Sequence, residues 1–266
     1  MTTFRLIESG YGDAATNMAV DEALFLGYNR HICLPTLRIY GWETPAFSIG
    51  YSQDPRAILH LERMKEKKVP LVRRPTGGGA LFHDDELTYS IIVDASDFNA
   101  TRSIRDSFEK TTGVLIEAYR ILGIKAAFSK TKPLQPHTIE EFCFARKEEY
   151  DIVAAGKKIG GNAQRRRRGT VLQHGSIPLA YDARKAAVFL LHPEVLNDLK
   201  IATVGELTGK KITFHRMAEI LIAAFTAYLP GRAVRTPLSP QEQALVRNLK
   251  ETKYANPEWN LKKKPS

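Results

Sequence analysis

The sequence predicts one α+β domain with a helical C-terminal portion, and three observations carry that prediction. Strand-like and helix-like runs are grouped rather than strictly alternating, and no internal repeat or long linker divides the chain. Its 266 residues, 43% hydrophobic and 26% charged, are enough for one large core. The expected domain is 1–266, with helices dominating about 182–260 and a frayed basic tail at 261–266.

Phe4 to Glu8 alternates as a strand, and Thr16 to Asn29 carries Met18, Leu24, Phe25 and Tyr28 at helical spacing. Leu37 to Trp42 and Phe47 to Tyr51 are β-rich runs separated by Thr44-Pro45. A charged helical stretch near Ile58 to Lys67 precedes a strand at Val69 to Arg73, and Leu87 to Val93 is the strand after the glycine triplet. Ser103-Ile104-Arg105-Asp106 has the form of a capping box, opening a helix to about Leu122 with Ile104, Phe108, Leu115, Tyr119 and Leu122 on one face. From Cys143 to Leu179, short β-like runs broken by Gly156, Gly160-Gly161 and Arg165 to Arg168 predict a meander on the earlier strands. Phe214, Met217, Leu221, Ala224, Phe225 and Tyr228 keep helical spacing, and Ser239 caps a further helix to about Glu251.

The composition excludes collagen-like, low-complexity and broadly disordered classes. Thirty-nine basic against 29 acidic residues leave +10, which favours an acidic partner, either nucleic acid or a small acidic carrier protein. The two cysteines, Cys33 and Cys143, are too few for a disulfide scaffold or a thiolate zinc site and point to a reducing compartment. The first residues show no secretory pattern, and no apolar run of about 18 residues could span a bilayer, so a cytoplasmic protein without a membrane partner is expected.

Four segments carry candidate chemistry. Arg73-Arg74-Pro75-Thr76-Gly77-Gly78-Gly79 leads to His83; three glycines let backbone approach a ligand closely, or simply form a hairpin turn. His83 is either a base or a structural imidazole. Lys157-Lys158-Ile159-Gly160-Gly161-Asn162-Ala163-Gln164 sets lysines beside glycine backbone, suited to a carbonyl, carboxyl or phosphate oxygen, or to a solvated turn. Arg165 to Arg168 is a solvated face or a patch for an acidic partner. Cys143, within Glu141-Phe142-Cys143-Phe144-Ala145, is a packed thiol unless a cation approaches it and lowers its pKa.

Taken in order, these segments resemble the lipoate ligase, octanoyltransferase and biotin ligase superfamily. The resemblance runs through Asn17 to Leu24, Leu37 to Trp42, Phe47 to Gln53, Arg73 to His83, Glu86 to Ser90, Lys157 to Gln164, Leu172-Gln173-His174-Gly175-Ser176, and Tyr254 to Asn260. Cys143-Phe144 shortly before Lys157-Lys158, and an end soon after Trp259-Asn260, look closest to the LipM-type octanoyltransferase branch. One departure is Gly161-Asn162, where Gly-Ser is commoner in that branch.

This resemblance implies a single biotin/lipoate protein ligase-like catalytic domain with mixed sheets flanked by helices. It implies transfer of octanoyl from octanoyl-acyl carrier protein, through a thioester on Cys143, to a lysine of the glycine cleavage system H protein or another lipoyl domain. No cofactor is then required, neither ATP nor a metal. Lys158 would lower the thiol pKa or orient the carbonyl, and backbone N–H groups of Gly160, Gly161, Asn162 and Ala163 would receive the oxyanion. Arg74, Gly77, Gly78, Gly79 and His83 would wall the acyl site. The alternatives are an ATP-dependent lipoate-protein ligase, an octanoyl amidotransferase, and a non-catalytic binder of acyl carriers or nucleic acid; no nucleic-acid motif is present.

Overall fold

The computed structural model describes residues 2–29, 33–98, 103–129, 151–197 and 200–264. The chain forms β1 (Thr2–Gly12), α1 (Ala14–Asn29), β2 (Thr36–Trp42), β3 (Ala46–Ile49), α2 (Leu61–Glu66), β4 (Leu71–Arg73), β5 (Leu81–His83) and β6 (Glu86–Asp94). There follow α3 (Ile104–Ile121), β7 (Ala126–Phe128), β8 (Ile152–Ala154), β9 (Lys157–Arg167), β10 (Thr170–Pro178), α4 (Ala183–Ala187) and α5 (Val204–Thr208). Last come α6 (Phe214–Tyr228), β11 (Gly231–Arg235), α7 (Pro240–Leu249), a π-helical turn at Lys250–Tyr254 and α8 (Pro257–Lys262). No helix among the described residues is long and apolar enough to cross a membrane.

An eight-stranded mixed sheet has the order β11-β1-β2-β6-β10-β9-β8-β7, and a three-stranded sheet the order β4-β3-β5. The meander expected after Cys143 takes the form of β8, β9 and β10, antiparallel to one another, with β10 paired to β6. Two tight turns hold it: Ala155-Gly156 and Arg168-Gly169 all have positive φ, the geometry whose twist matches a two-residue hairpin. Arg165, Arg166 and Arg167 therefore extend β9 rather than interrupt it.

Strand periodicity splits the large sheet into two unlike faces. Leu37, Ile39, Leu87, Tyr89, Ile91 and Ile177 pack against α3 and α6 with Leu115, Leu221 and Phe225 in the main core. On the opposite face lies α1, backed by α7 and the C-terminal turn. The small sheet builds its own cluster, in which Phe47 and Phe82 meet Met64, Phe189 and Leu190.

Three local expectations change. Ser103 does cap α3, accepting from the Asp106 N–H, but Ile104 is 60% exposed and the buried stripe runs through Ser107, Thr111, Val114, Leu115 and Ala118. Thr111 and Thr112 on that side of the helix hid the true phase, because their hydroxyls bond to Gln173 on the sheet instead of to water. The largely helical C-terminal portion also contains β11, a parallel edge strand on β1 whose sequence Gly-Arg-Ala-Val-Arg has no apolar alternation. Finally, α8 continues to Lys262, two residues into the expected frayed tail.

Candidate functional site

Arg73 to His83 is not a hairpin. β4 and β5 are the two outer strands of the small sheet, with β3 inserted between them, parallel to β4 and antiparallel to β5. The glycine loop between them must cross the end of β3, and it does so in direct backbone contact: a Cβ on Gly50 would lie 1.9 Å from the Gly78 carbonyl oxygen. Gly78 itself has φ of +92°, which glycine alone adopts without cost. Tyr51 N–H donates to the Thr76 carbonyl and Arg74 N–H to that of Ile49, fixing the loop over the strand end.

Arg74 then shapes the loop from inside. It is buried; its guanidinium donates to Ser48 Oγ at 2.6 Å and to the carbonyls of Gly77 and Gly79 at 3.2 and 2.7 Å. Ser48 Oγ also meets His83 Nε2 at 2.6 Å, and His83 Nδ1 meets Glu86 Oε1 at 2.8 Å. Glu86 is buried and accepts from Thr88 and Ser176 hydroxyls as well. Trp42 lies flat on the His83 ring, centroids 3.9 Å apart and 12° from parallel, while its indole N–H donates to Thr88. A buried charge survives only when its bonds are complete, and Glu86 has them: burial alone would raise its pKa, but the charge on His83 and these hydrogen bonds outweigh that and lower it.

A second relay reaches the same loop from the large sheet. Thr76 Oγ1 meets His174 Nε2 at 2.6 Å, and His174 Nδ1 meets Asp21 Oδ2 at 3.2 Å. Asp21, on α1, also accepts from Arg38 at 2.6 Å, Ser90 at 2.8 Å and Tyr40 at 2.9 Å. Burial pushes Asp21 up, yet Arg38, His174 and Ser90 together hold it below the usual carboxylate range. Burial pushes His174 down, and the bond to Asp21 only partly offsets it. A neutral His174 keeps its proton on Nδ1 toward the carboxylate, leaving Nε2 to accept from Thr76.

The expected site residues therefore separate. Arg74, Gly77, Gly79 and His83 belong to one bonded network, and Gly78 completes its loop. Lys158 is 1% exposed and Lys157 exposed; the Lys158 ammonium pairs with Asp151 at 2.8 Å, and its backbone is tied to Lys200 and Ala202. Gly161 and Ala163 are paired with Ser176 and His174 on β10, and a Cβ on Gly160 would lie 2.8 Å from the Ser176 carbonyl. The side chain of Asn162 turns to the α3 face, where its Oδ1 accepts from the Tyr89 hydroxyl; the role expected of Asn162 is a backbone one. Cys143 lies outside the described residues. Arg165 is engaged by Glu22 at 3.0 Å, which removes one cation from the expected basic patch.

Sequence reasoning did not single out Asp21, Ser48, Glu86, Thr88 or His174, although each lies in a quoted segment. The available signal was polar residues at every second position of strands flanked on both sides: Glu86, Thr88 and Ser90 on β6, and His174 and Ser176 on β10.

With this geometry in view, the model of the lipoyl protein ligase A/B catalytic domain matches residues 13–226. Octanoyltransferase LipM of Geobacillus kaustophilus (strain HTA426) is 34% identical, over 98% of each chain. Octanoyltransferase LipM of Kyrpidia tusciae is 35% identical, over 99% of this chain and 100% of its own. Among solved structures, lipoate-protein ligase A bound with ATP superposes with a TM-score of 0.81 at 26% identity, covering 98% of this chain and 99% of that one.

Proposed function

This chain belongs to the lipoyl protein ligase A/B catalytic domain family, and from that premise we propose that it is an octanoyltransferase of protein lipoylation, acting in the cytoplasm. The observation that carries the reading is end-to-end similarity to curated octanoyltransferases, at 34% and 35% identity. The donor is octanoyl-acyl carrier protein, and the acceptor a lysine of the glycine cleavage system H protein or another lipoyl domain.

In the first half-reaction, the Cys143 sulfur gives up its proton and attacks the thioester carbonyl. The new C–S bond forms, the bond to the carrier sulfur breaks, and the carrier leaves as a thiol carrying that proton. In the second, the neutral ε-amine of the acceptor attacks the Cys143 thioester. A C–N bond forms, the C–S bond breaks, and the amine proton returns to sulfur, leaving a stable amide.

Lys158 supplies positive charge that favours the thiolate or orients the carbonyl, and the backbone of Gly160 to Ala163 receives the oxyanion. The Trp42–His83 stack and the glycine loop held by Arg74 supply a wall for the acyl chain. A buried, hydrogen-bonded frame suits this task, since it holds the carbonyl without reorganising during reaction.

A second reading is an ATP-dependent lipoate ligase, favoured by the fold match to a ligase with bound ATP. Intact-protein mass spectrometry separates the two. Mixed with octanoyl-acyl carrier protein and no ATP, wild type gains one octanoyl group and Cys143→Ala gains none. No gain on wild type, with transfer appearing only on addition of ATP and free acid, overturns the octanoyltransferase reading.

A further inference from the structure

Beside the loop that Arg74 shapes lies a second buried guanidinium whose purpose the reaction does not explain. Arg73 closes β4 and is 1% exposed. Its partners are main-chain carbonyls: Nε donates to Trp259 at 3.1 Å, Nη1 to Gly50, Tyr51 and Gln53 at 3.2, 2.9 and 2.6 Å, and Nη2 to Asn260 at 2.9 Å. The backbone of Arg73 is gripped from the same side, its N–H donating to Asn260 Oδ1 at 2.9 Å and its carbonyl accepting from the Trp259 indole at 3.2 Å. Asn260 in turn donates to the Tyr254 carbonyl.

A planar fork with fixed donors sets the relative position of the oxygens it binds, which a flexible ammonium does not. Here those oxygens come from two places, the turn after β3 and the helix α8. The turn is also the surface on which the glycine loop rests, through Gly50 against Gly78 and Tyr51 N–H against Thr76. Contact therefore runs unbroken from Trp259 and Asn260, through the Arg73 fork, to Gly50 and Gly78. The Tyr51 ring, 5.9 Å from that of Trp259, repeats the connection at the surface.

We propose that Arg73 is a positioning residue and α8 a structural part of the acyl site: the C-terminal helix, acting through the Arg73 fork, sets the place of the glycine loop and hence the acyl length accepted. The role in acyl length rests on the octanoyltransferase reading; the control of the loop does not.

The test compares Arg73→Lys, which keeps the charge and loses the fork, with Glu242→Gln, which weakens the Arg5–Glu242 pair between β1 and α7, away from the loop. Acyl-enzyme formation is measured with octanoyl- and dodecanoyl-acyl carrier protein. Loss of folded protein scales both rates equally, so their ratio reports the site alone. Arg73→Lys is expected to lower the C8-over-C12 ratio at least tenfold while Glu242→Gln leaves it unchanged; a wild-type ratio in Arg73→Lys overturns the proposal. Should Arg73→Lys not fold, Trp259→Phe removes the indole bond to the Arg73 carbonyl, with part of the buried ring, while keeping every acceptor of the fork, and is expected to shift the ratio about threefold, an unchanged ratio again overturning the idea. Amide hydrogen exchange at Tyr51 and Arg74, whose N–H groups tie the glycine loop to β3 and the turn after it, provides a readout independent of acyl transfer. Exchange at least tenfold faster in either variant than in Glu242→Gln supports the coupling even if wild type transfers no acyl group, an outcome that would sink the functional reading by itself; unchanged exchange overturns the coupling.

Discussion

The two faces of the large sheet are built from the same strands and are both buried, yet they do opposite things. Toward α3 and α6, β2 and β6 present Leu37, Ile39, Leu87 and Ile91, side chains whose value is apolar area removed from water. Toward α1 and the glycine loop, alternate residues of the same strands are Arg38, Tyr40, Glu86, Thr88 and Ser90, with His174 and Ser176 from β10. Each of these polar groups is desolvated, and each is tolerable only because a partner is in place. One face therefore supplies stability that is tolerant of shape. The other supplies a fixed geometry that fails when any member is lost.

The difference is broken most severely at Asp21. Asp21→Ala leaves the Arg38 guanidinium buried without its carboxylate and is expected to cost about 3–5 kcal/mol in denaturant unfolding, together with acyl-transfer activity through loss of the His174–Thr76 link. Thr88→Val keeps the volume but takes one hydrogen bond from Glu86, which keeps those of His83 and Ser176, and leaves the Trp42 indole without its acceptor; a loss of about 1–3 kcal/mol is expected, with acyl-length selectivity measurably altered. On the apolar face, Ile91→Val is expected to lose only about 0.5–1.5 kcal/mol and to leave the octanoyl-to-dodecanoyl rate ratio untouched. A shifted ratio in Ile91→Val would erase the distinction between the faces.

Acid titration sharpens the same contrast without substitution. His174 has a folded pKa below 6.5, so between that value and 6.5 the unfolded chain binds more protons and stability falls as pH falls. Asp21 and Glu86 are lowered from 3.8 and 4.5, and their contribution, complete above those values, is lost as pH drops further through the folded pKa values. Unfolding midpoints measured from pH 7 to pH 3 are expected to decline in two stages, and His174→Gln to remove the upper one.

Much of this frame was legible in the chain. The strands at Phe4 to Glu8, Leu37 to Trp42 and Leu87 to Val93, the helical spacing of α1 and α6, and the Ser239 cap all follow from local chemistry and reappear in place. The phase of α3 was not, because Thr111 bonds to Gln173 at 2.6 Å across the sheet and so behaves as a buried residue. Nor was the direction of Asn162: two glycines precede it, and only the pairing of β9 with β10 decides which face it meets.

The sequence by itself determined most of the strands and helices, β11 excepted, where the backbone can bend sharply, that the chain is basic, and that it holds two thiols. Tertiary structure alone decided that β3 lies between β4 and β5, that Lys158 rather than Lys157 is buried, and that Thr76, His174 and Asp21 form one relay. The relay's links join residues 98 and 153 positions apart. The physical reason is range: steric preference and amphipathic period act within a few residues, so they state that a strand has two faces. What each face meets is settled only when distant segments exclude water together, and there the partners of a buried polar group are chosen.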